Sequence, residues 1–344
     1  MEFTCQPFLL EYKYPFGVSS NTRTHTQSVF TKISWEGFNG YGEACLPPYL
    51  GETLENTLAL FEKAKPILKK QKYPCSIAEI IFEIDELDES CNAAKAAIDI
   101  ALHDLKGKIE NKSVRELYKL QKIENAFTAC TIGIAEEEKI KTKIEEAKDF
   151  TVLKIKAGTK DDKALINLIR KYTDKPLFVD VNQGWTDKHF ALDMCSWFKE
   201  QGVVLVEQPL PINQLDDMAW LTSKNILPTI ADENVKRLSD LKKIKGVFNG
   251  INIKLMKCTG IKEAFEMIEL AKQFDLKIFL GCMAESSCGT SAMAQLMACA
   301  DYIDLDAPHL LKNDPFTGLT YEGGKIILSH APGIGATPNV SLFR

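Results

Sequence analysis

Charged residues close five successive apolar runs of this chain: Lys154 and Lys156 in Val-Leu-Lys-Ile-Lys, Asp180 in Phe-Val-Asp-Val-Asn, Glu207 in Val-Leu-Val-Glu-Gln-Pro, Asp232 in Ile-Ala-Asp-Glu, and Lys254 in Asn-Ile-Lys. Three acids flanked by cations are a hard-oxygen site suited to Mg²⁺, which takes few protein ligands and leaves positions open for water or a substrate carboxylate. Without a cation, three converging carboxylates would repel one another or raise their pKa values. Lys154 and Lys156 lie two apart and so share a strand face. A lysine close to a fixed cation and partly buried favours the neutral amine, which makes it a base. Lys156 on one side of the acids and Lys254 on the other suit proton chemistry from two faces, with Lys154 as the fixed cation.

Such residues must be brought together by their elements. Eight short apolar runs occur from about residue 127 onward: 128–134, 152–155, 177–181, 203–206, 229–231, 251–253, 278–280 and 302–305, with amphipathic helical segments between them. Lys154, Asp180, Glu207, Asp232 and Lys254 succeed one another at intervals of 22 to 27 residues, the βα period of a parallel barrel. A doubly wound open sheet would carry a glycine-rich phosphate loop, and neither GxGxxG nor GxxxxGK[ST] occurs. In a barrel the carboxyl ends of the strands meet at one mouth. Lys156 ends the second run and Lys254 the sixth, so they face each other across it.

Before the barrel, 8–10, 29–35 and 40–43 alternate like antiparallel strands, and the chain turns helical from about Glu55. The Ala-rich stretch from Asn92 to Leu105 predicts a close-packed helix joining this unit to the barrel. The fold class is therefore α/β: a modified TIM barrel (β/α)7β with an N-terminal α+β capping domain completed by the C-terminal tail. Its predicted divisions are 1–120 for the cap, 121–306 for the barrel and 307–344 for the tail, in which 324–328 reads as a strand returning to the cap. The loops at 19–25 and 47–52 are expected to close over the barrel mouth.

The chain has 344 residues with a formal net charge of −5, which gives no general attraction to nucleic acid or to an anionic membrane. There is no run of about 18 apolar residues and no basic, apolar leader at the start, so a cytoplasmic location is expected. The ten cysteines are scattered, and the pair Cys282 and Cys288 has neither CxxC spacing nor histidine companions, as reduced packing thiols would have. The five histidines fall at no strand end that closes with charge. The expected partner is a small molecule, and a homo-oligomer is left open.

These residues resemble the muconate lactonising subgroup of the enolase superfamily, where a KxK on the second barrel strand, D-x-N, E and D ligands, and a sixth-strand Lys are the signature. Within it, Asp180-Val-Asn-Gln-Gly-Trp185, Val206-Glu-Gln-Pro209, Ala231-Asp-Glu-Asn234 and Ile251 to Gly260 are most similar to the dipeptide epimerases. The most specific segment is Asp304-Leu-Asp306, a DxD that in those enzymes receives the substrate's free ammonium group. Two acids two apart on a strand share a face and can hold a cation beyond the metal site.

The resemblance implies one Mg²⁺ per subunit on Asp180, Glu207 and Asp232, and Lys156 and Lys254 as the two bases of a 1,1-proton transfer through an enediolate. Lys154 would stabilise that charge. The reaction inverts the α-carbon of the C-terminal residue of a dipeptide, with L-Ala-D/L-Glu as first substrate and peptidoglycan peptides as its setting. Thr131, Asp304, Asp306, Cys282, Met283 and Arg23 are the implied substrate contacts. Arg23 stands two residues from Asn21, where the family places the arginine for the glutamate carboxylate, and Thr259 replaces a glycine common after the sixth strand. Alternatives are a dipeptide epimerase of other side-chain specificity, an N-acylamino acid racemase, an o-succinylbenzoate synthase, or a non-catalytic binding protein on the same fold.

Overall fold

In a computed structural model of the chain, residues 1–17, 22–71, 76–123 and 125–343 are described. The chain opens with an antiparallel meander, β1 (Glu2–Gly17), β2 (Thr22–Trp35) and β3 (Phe38–Leu46), in the order β1-β2-β3. Three helices come next: α1 (Leu54–Lys70), α2 (Ile77–Asp85) and α3 (Asn92–Glu110). Thr53 and Asn56 form a reciprocal capping box at the start of α1, which satisfies two of the backbone donors a helix leaves orphaned. Helix α3 is buried along most of its length, from Ala93 to Leu105, because it lies between the meander and the barrel. Its small residues meet glycines on β3: a Cβ at Gly42 would stand 1.9 Å from the Ala97 carbonyl oxygen, and one at Gly40 would stand 2.0 Å from that of Ala101. Backbone therefore packs on backbone there.

After the one-turn helix α4 (Val114–Leu117), eight parallel strands alternate with helices: β4 (Cys130–Ile132), α5 (Glu137–Glu146), β5 (Leu153–Lys156), α6 (Asp162–Arg170), β6 (Leu177–Asp180), α7 (Lys188–Glu200), β7 (Val203–Glu207), α8 (Leu215–Ser223), β8 (Thr229–Ala231), α9 (Leu241–Ile244), β9 (Gly250–Ile253), α10 (Ile261–Gln273), β10 (Lys277–Gly281), α11 (Ser287–Ala294) and β11 (Tyr302–Asp304). The strands pair in sequence order, and the Ala129 N–H donates to the Ile303 carbonyl at 2.9 Å, bringing the ends of the sheet together as a barrel. No helix among the described residues is long and apolar enough to cross a membrane.

Buried charge ties the meander side to the barrel. Glu43 of β3 accepts hydrogen bonds from Ser28 and from the backbone of Ser286 and Gly289, so its carboxylate sits at the N-terminus of α11, where a helix favours negative charge. Arg237 bridges Asp85 of α2 and Glu263 of α10. The tail behaves differently from expectation in one respect. Lys325–Ile327 pairs with Thr320–Glu322 in a hairpin of its own and does not extend the meander. The tail meets the meander through Leu311, which bridges Tyr12 of β1, through Asn313, which bonds the backbone of Leu9 and Glu11, and through Phe316, against Phe30 and Tyr41, and Phe343, stacked on Tyr41.

Candidate active site

Strand period sets the site. Ala129, Phe178, Leu205, Ile230 and Phe279 form an apolar layer inside the barrel. Two residues on, the same inward face offers Thr131, Asp180, Glu207 and Asp232. Register reinforces this, since Lys156 pairs with Asp180 and Asp180 with Glu207 across β5, β6 and β7. Asn182 and Gln208 just beyond have left-handed φ of 47° and 39°, so the chain bends sharply as it leaves β6 and β7.

Asp180, Glu207 and Asp232 are buried, and one ligand oxygen from each lies within 4.8 Å of the others. Lys156 Nζ stands 2.6 Å from Asp180 Oδ2, and Lys254 Nζ stands 2.7 Å from Asp232 Oδ2. Lys154 Nζ donates to Asp304 Oδ2 at 2.8 Å and lies 3.4 Å from Asp180. It is also 2.7 Å from Glu207 Oε2, an ion pair by distance whose angles are not those of a hydrogen bond, so that buried oxygen has no donor. All-oxygen donors, their proximity and this unsatisfied oxygen fit a Mg²⁺ ion.

Opposing forces set the charges. Burial opposes ionisation of Asp232, yet Lys254 and Lys257 outweigh it and hold the carboxyl well below the usual range. Burial likewise opposes ionisation of Asp180, which Lys156 and Lys154 nevertheless lower. For Glu207, burial and then the Asp180 charge prevail over Lys154 and raise the pKa. Burial pulls Lys254 down, but Asp232, Tyr49 and Glu207 more than compensate, so it lies well above an ordinary lysine. This surrounding charge holds Lys254 as an ammonium.

The remaining residues singled out from the sequence also converge. The Thr131 N–H donates to Asp306 Oδ2 at 2.6 Å, and its hydroxyl reaches Asp304 and Asp306 at 3.3 Å each. Burial, then the Asp304 charge, pushes Asp306 up to about 7. The Cys282 thiol donates to the Asp304 carbonyl at 3.3 Å, and Met283 Sδ accepts from the Tyr49 hydroxyl at 2.5 Å. Arg23 lies with its guanidinium 6.0 Å from the Tyr49 ring centre. All of these line one cavity of about 390 Å³ with Lys154, Lys156, Asp232 and Lys254. Asn21 and the start of the first expected loop, residues 19–21 of 19–25, lie outside the described residues. Tyr49 and Leu50 of the second loop line the cavity.

Sequence reasoning missed several groups. Lys257 Nζ is 2.5 Å from Asp232 Oδ1 and also donates to the carbonyls of Asp232 and Asn252. Asn252 Nδ2 donates to Glu207 Oε1 at 2.7 Å. Asn252 is legible in hindsight, two residues before Lys254 on the same inward face. Glu233, pushed up to about 7 by burial and then by Asp232, and Lys236 also border the cavity.

Comparison with known proteins places this geometry among others. Residues 7–118 match the family model "Mandelate racemase / muconate lactonizing enzyme, N-terminal domain", and residues 137–342 match "Enolase C-terminal domain-like". The chain is 44% identical to the L-Ala-D/L-Glu epimerase of Bacteroides thetaiotaomicron, over 97% of this chain and 87% of that one. It superposes on the dipeptide epimerase of Enterococcus faecalis complexed with Mg and L-Leu-L-Tyr with a TM-score of 0.91 at 31% identity, covering 97% and 98% of the two chains. For a substrate-liganded complex of the Bacillus subtilis L-Ala-D/L-Glu epimerase the TM-score is 0.92 at 28% identity, covering 98% of each chain.

Proposed function

Because this chain belongs to the mandelate racemase/muconate lactonizing enzyme family of the enolase superfamily, we propose that it is a Mg²⁺-dependent dipeptide epimerase, with L-Ala-D/L-Glu as its first substrate. The observation that carries this reading is a three-carboxylate cluster with one lysine pressed on either side, Lys156 on Asp180 and Lys254 on Asp232, beside the acid pair Asp304 and Asp306. Asp180, Glu207 and Asp232 are the metal ligands. Bound there, Mg²⁺ supplies countercharge for the substrate carboxylate and neutralises the acids that pair with the two lysines.

The dipeptide's C-terminal carboxylate lies toward Lys154, whose ammonium faces the negative charge that builds there as the α-proton leaves. Lys156 and Lys254 stand on opposite faces of that α-carbon. One removes the proton and the other returns one, which inverts the centre. Asp304 and Asp306, oriented by Thr131, receive the free ammonium end. The nine free cysteines among the described residues support the reducing, cytoplasmic setting. Exchange of α-hydrogen for deuterium in D₂O, monitored by mass spectrometry over a dipeptide library, tests the reading. Exchange and epimer formation with free dipeptides is the expected result, and faster turnover of N-acylated amino acids overturns it in favour of a racemase.

A further inference from the structure

Six cations among the described residues line the cavity, and they divide into two sets. Lys154, Lys156, Lys254 and Lys257 each contact at least one carboxylate at 2.8 Å or less. Arg23 and Lys236 have no acidic partner among the described residues, and Arg23 Nε and Nη1 are buried without an acceptor. A buried guanidinium donor left unpaired is costly unless a ligand supplies the acceptor. The two sets also lie apart. Thr131 of β4 and Asp304 of β11, with Asp306 two residues past Asp304, lie together where the barrel closes, whereas Lys236 comes after β8, on the far side of the eight-strand ring. Arg23 approaches from β2 with Tyr49. The cavity is thus anionic at one wall and offers unpaired positive charge at the other.

Resting on the dipeptide reading above, we propose that Lys236 acts with Arg23 as the specificity determinant for an acidic C-terminal side chain, the pair together taking its carboxylate. A dipeptide with its ammonium on Asp304 and Asp306 presents that side chain to the opposite wall. Lys236 is exposed, so its substitution leaves the core intact, and its share of the binding is partly screened by solvent.

The test is kcat/KM for L-Ala-L-Glu and L-Ala-L-Met in wild type, Lys236→Met, Lys236→Arg and Lys236→Glu. The Glu-over-Met preference should fall about tenfold in Lys236→Met, return in Lys236→Arg, and fall further in Lys236→Glu. An unchanged preference in Lys236→Met and Lys236→Glu, with activity on both dipeptides intact, overturns the role of Lys236 and leaves the epimerase reading standing. Absence of exchange with every dipeptide in the wild type overturns both.

Discussion

Lys254 Nζ and Asp232 Oδ2 are 2.7 Å apart, so a proposed base rests directly on a proposed metal ligand. Lys156 repeats the arrangement on Asp180 at 2.6 Å. Each lysine pairs with one acid of the cluster, so the carboxylates proposed to bind the cation are the ones that pair with the proposed bases. Metal affinity and base function are therefore properties of one charge network. The groups within it are to be perturbed one at a time, because neighbouring charges do not act additively.

Chelation should abolish exchange, and added Mg²⁺ should restore it. Asp180→Asn, Glu207→Gln and Asp232→Asn each remove an anionic oxygen from a buried cluster, so calorimetry should show Mg²⁺ binding weakened by roughly 10- to 100-fold or more in each. Undiminished exchange by exhaustively chelated enzyme would contradict the metal assignment.

Lys156→Ala and Lys254→Ala should each stop interconversion of the epimers while leaving exchange from one face. The two variants should differ in which epimer still exchanges, because the lysines flank the acid cluster from opposite sides. Interconversion at near wild-type rate in either variant would remove that lysine from the mechanism.

Much of this site is legible in the sequence because it rides on strand period. An inward face repeats every second residue, so Asp180, Glu207 and Asp232 stand two beyond Phe178, Leu205 and Ile230, and the βα spacing brings their strands side by side. Lys257 and Lys236 lie beyond strand ends, where the path of the chain depends on tertiary contacts that period does not encode. The tail hairpin departs from the expected returning strand for another reason. Glu322-Gly-Gly-Lys325 is a two-glycine turn with φ of 58° and 77°, a local hairpin signal, and the long-range partner of 324–326 is the segment 126–128 leading into β4 instead of the meander.

Asp306 should impose an acid limb on turnover. Its folded-state pKa is raised to about 7, so as pH falls through 7 the carboxylate proposed to receive the ammonium is lost and kcat/KM for a free dipeptide should fall. The same shift acts oppositely on stability. A raised carboxyl pKa favours the folded state below the unfolded value, and that advantage is lost as pH rises through about 7. Asp306→Asn should accordingly raise Tm more at pH 8 than at pH 5 while lowering kcat/KM by roughly 30-fold or more. A pH profile for the wild type that stays flat from 8 to 5 would remove Asp306 from ammonium binding.

Gly42→Ala tests whether the meander's seat on α3 sets the cavity. The new Cβ would stand 1.9 Å from the Ala97 carbonyl oxygen and 2.9 Å from Thr31 Oγ1, which itself donates to Ala97. Neither neighbour is the far end of a flexible side chain, so β3 must move off the helix, at a cost of about 3 kcal/mol. Tyr49 comes only a few residues after β3 and lies beside Arg23, so the displacement should reach the cavity wall that meets the substrate side chain. The expected outcome is a lower Tm together with a raised KM, and a smaller change in kcat because the lysines and acids stand on barrel strands. Gly37→Ala is the control: its Cβ meets nothing within 4 Å, though its φ of 84° carries backbone strain, so it should lower Tm without moving KM.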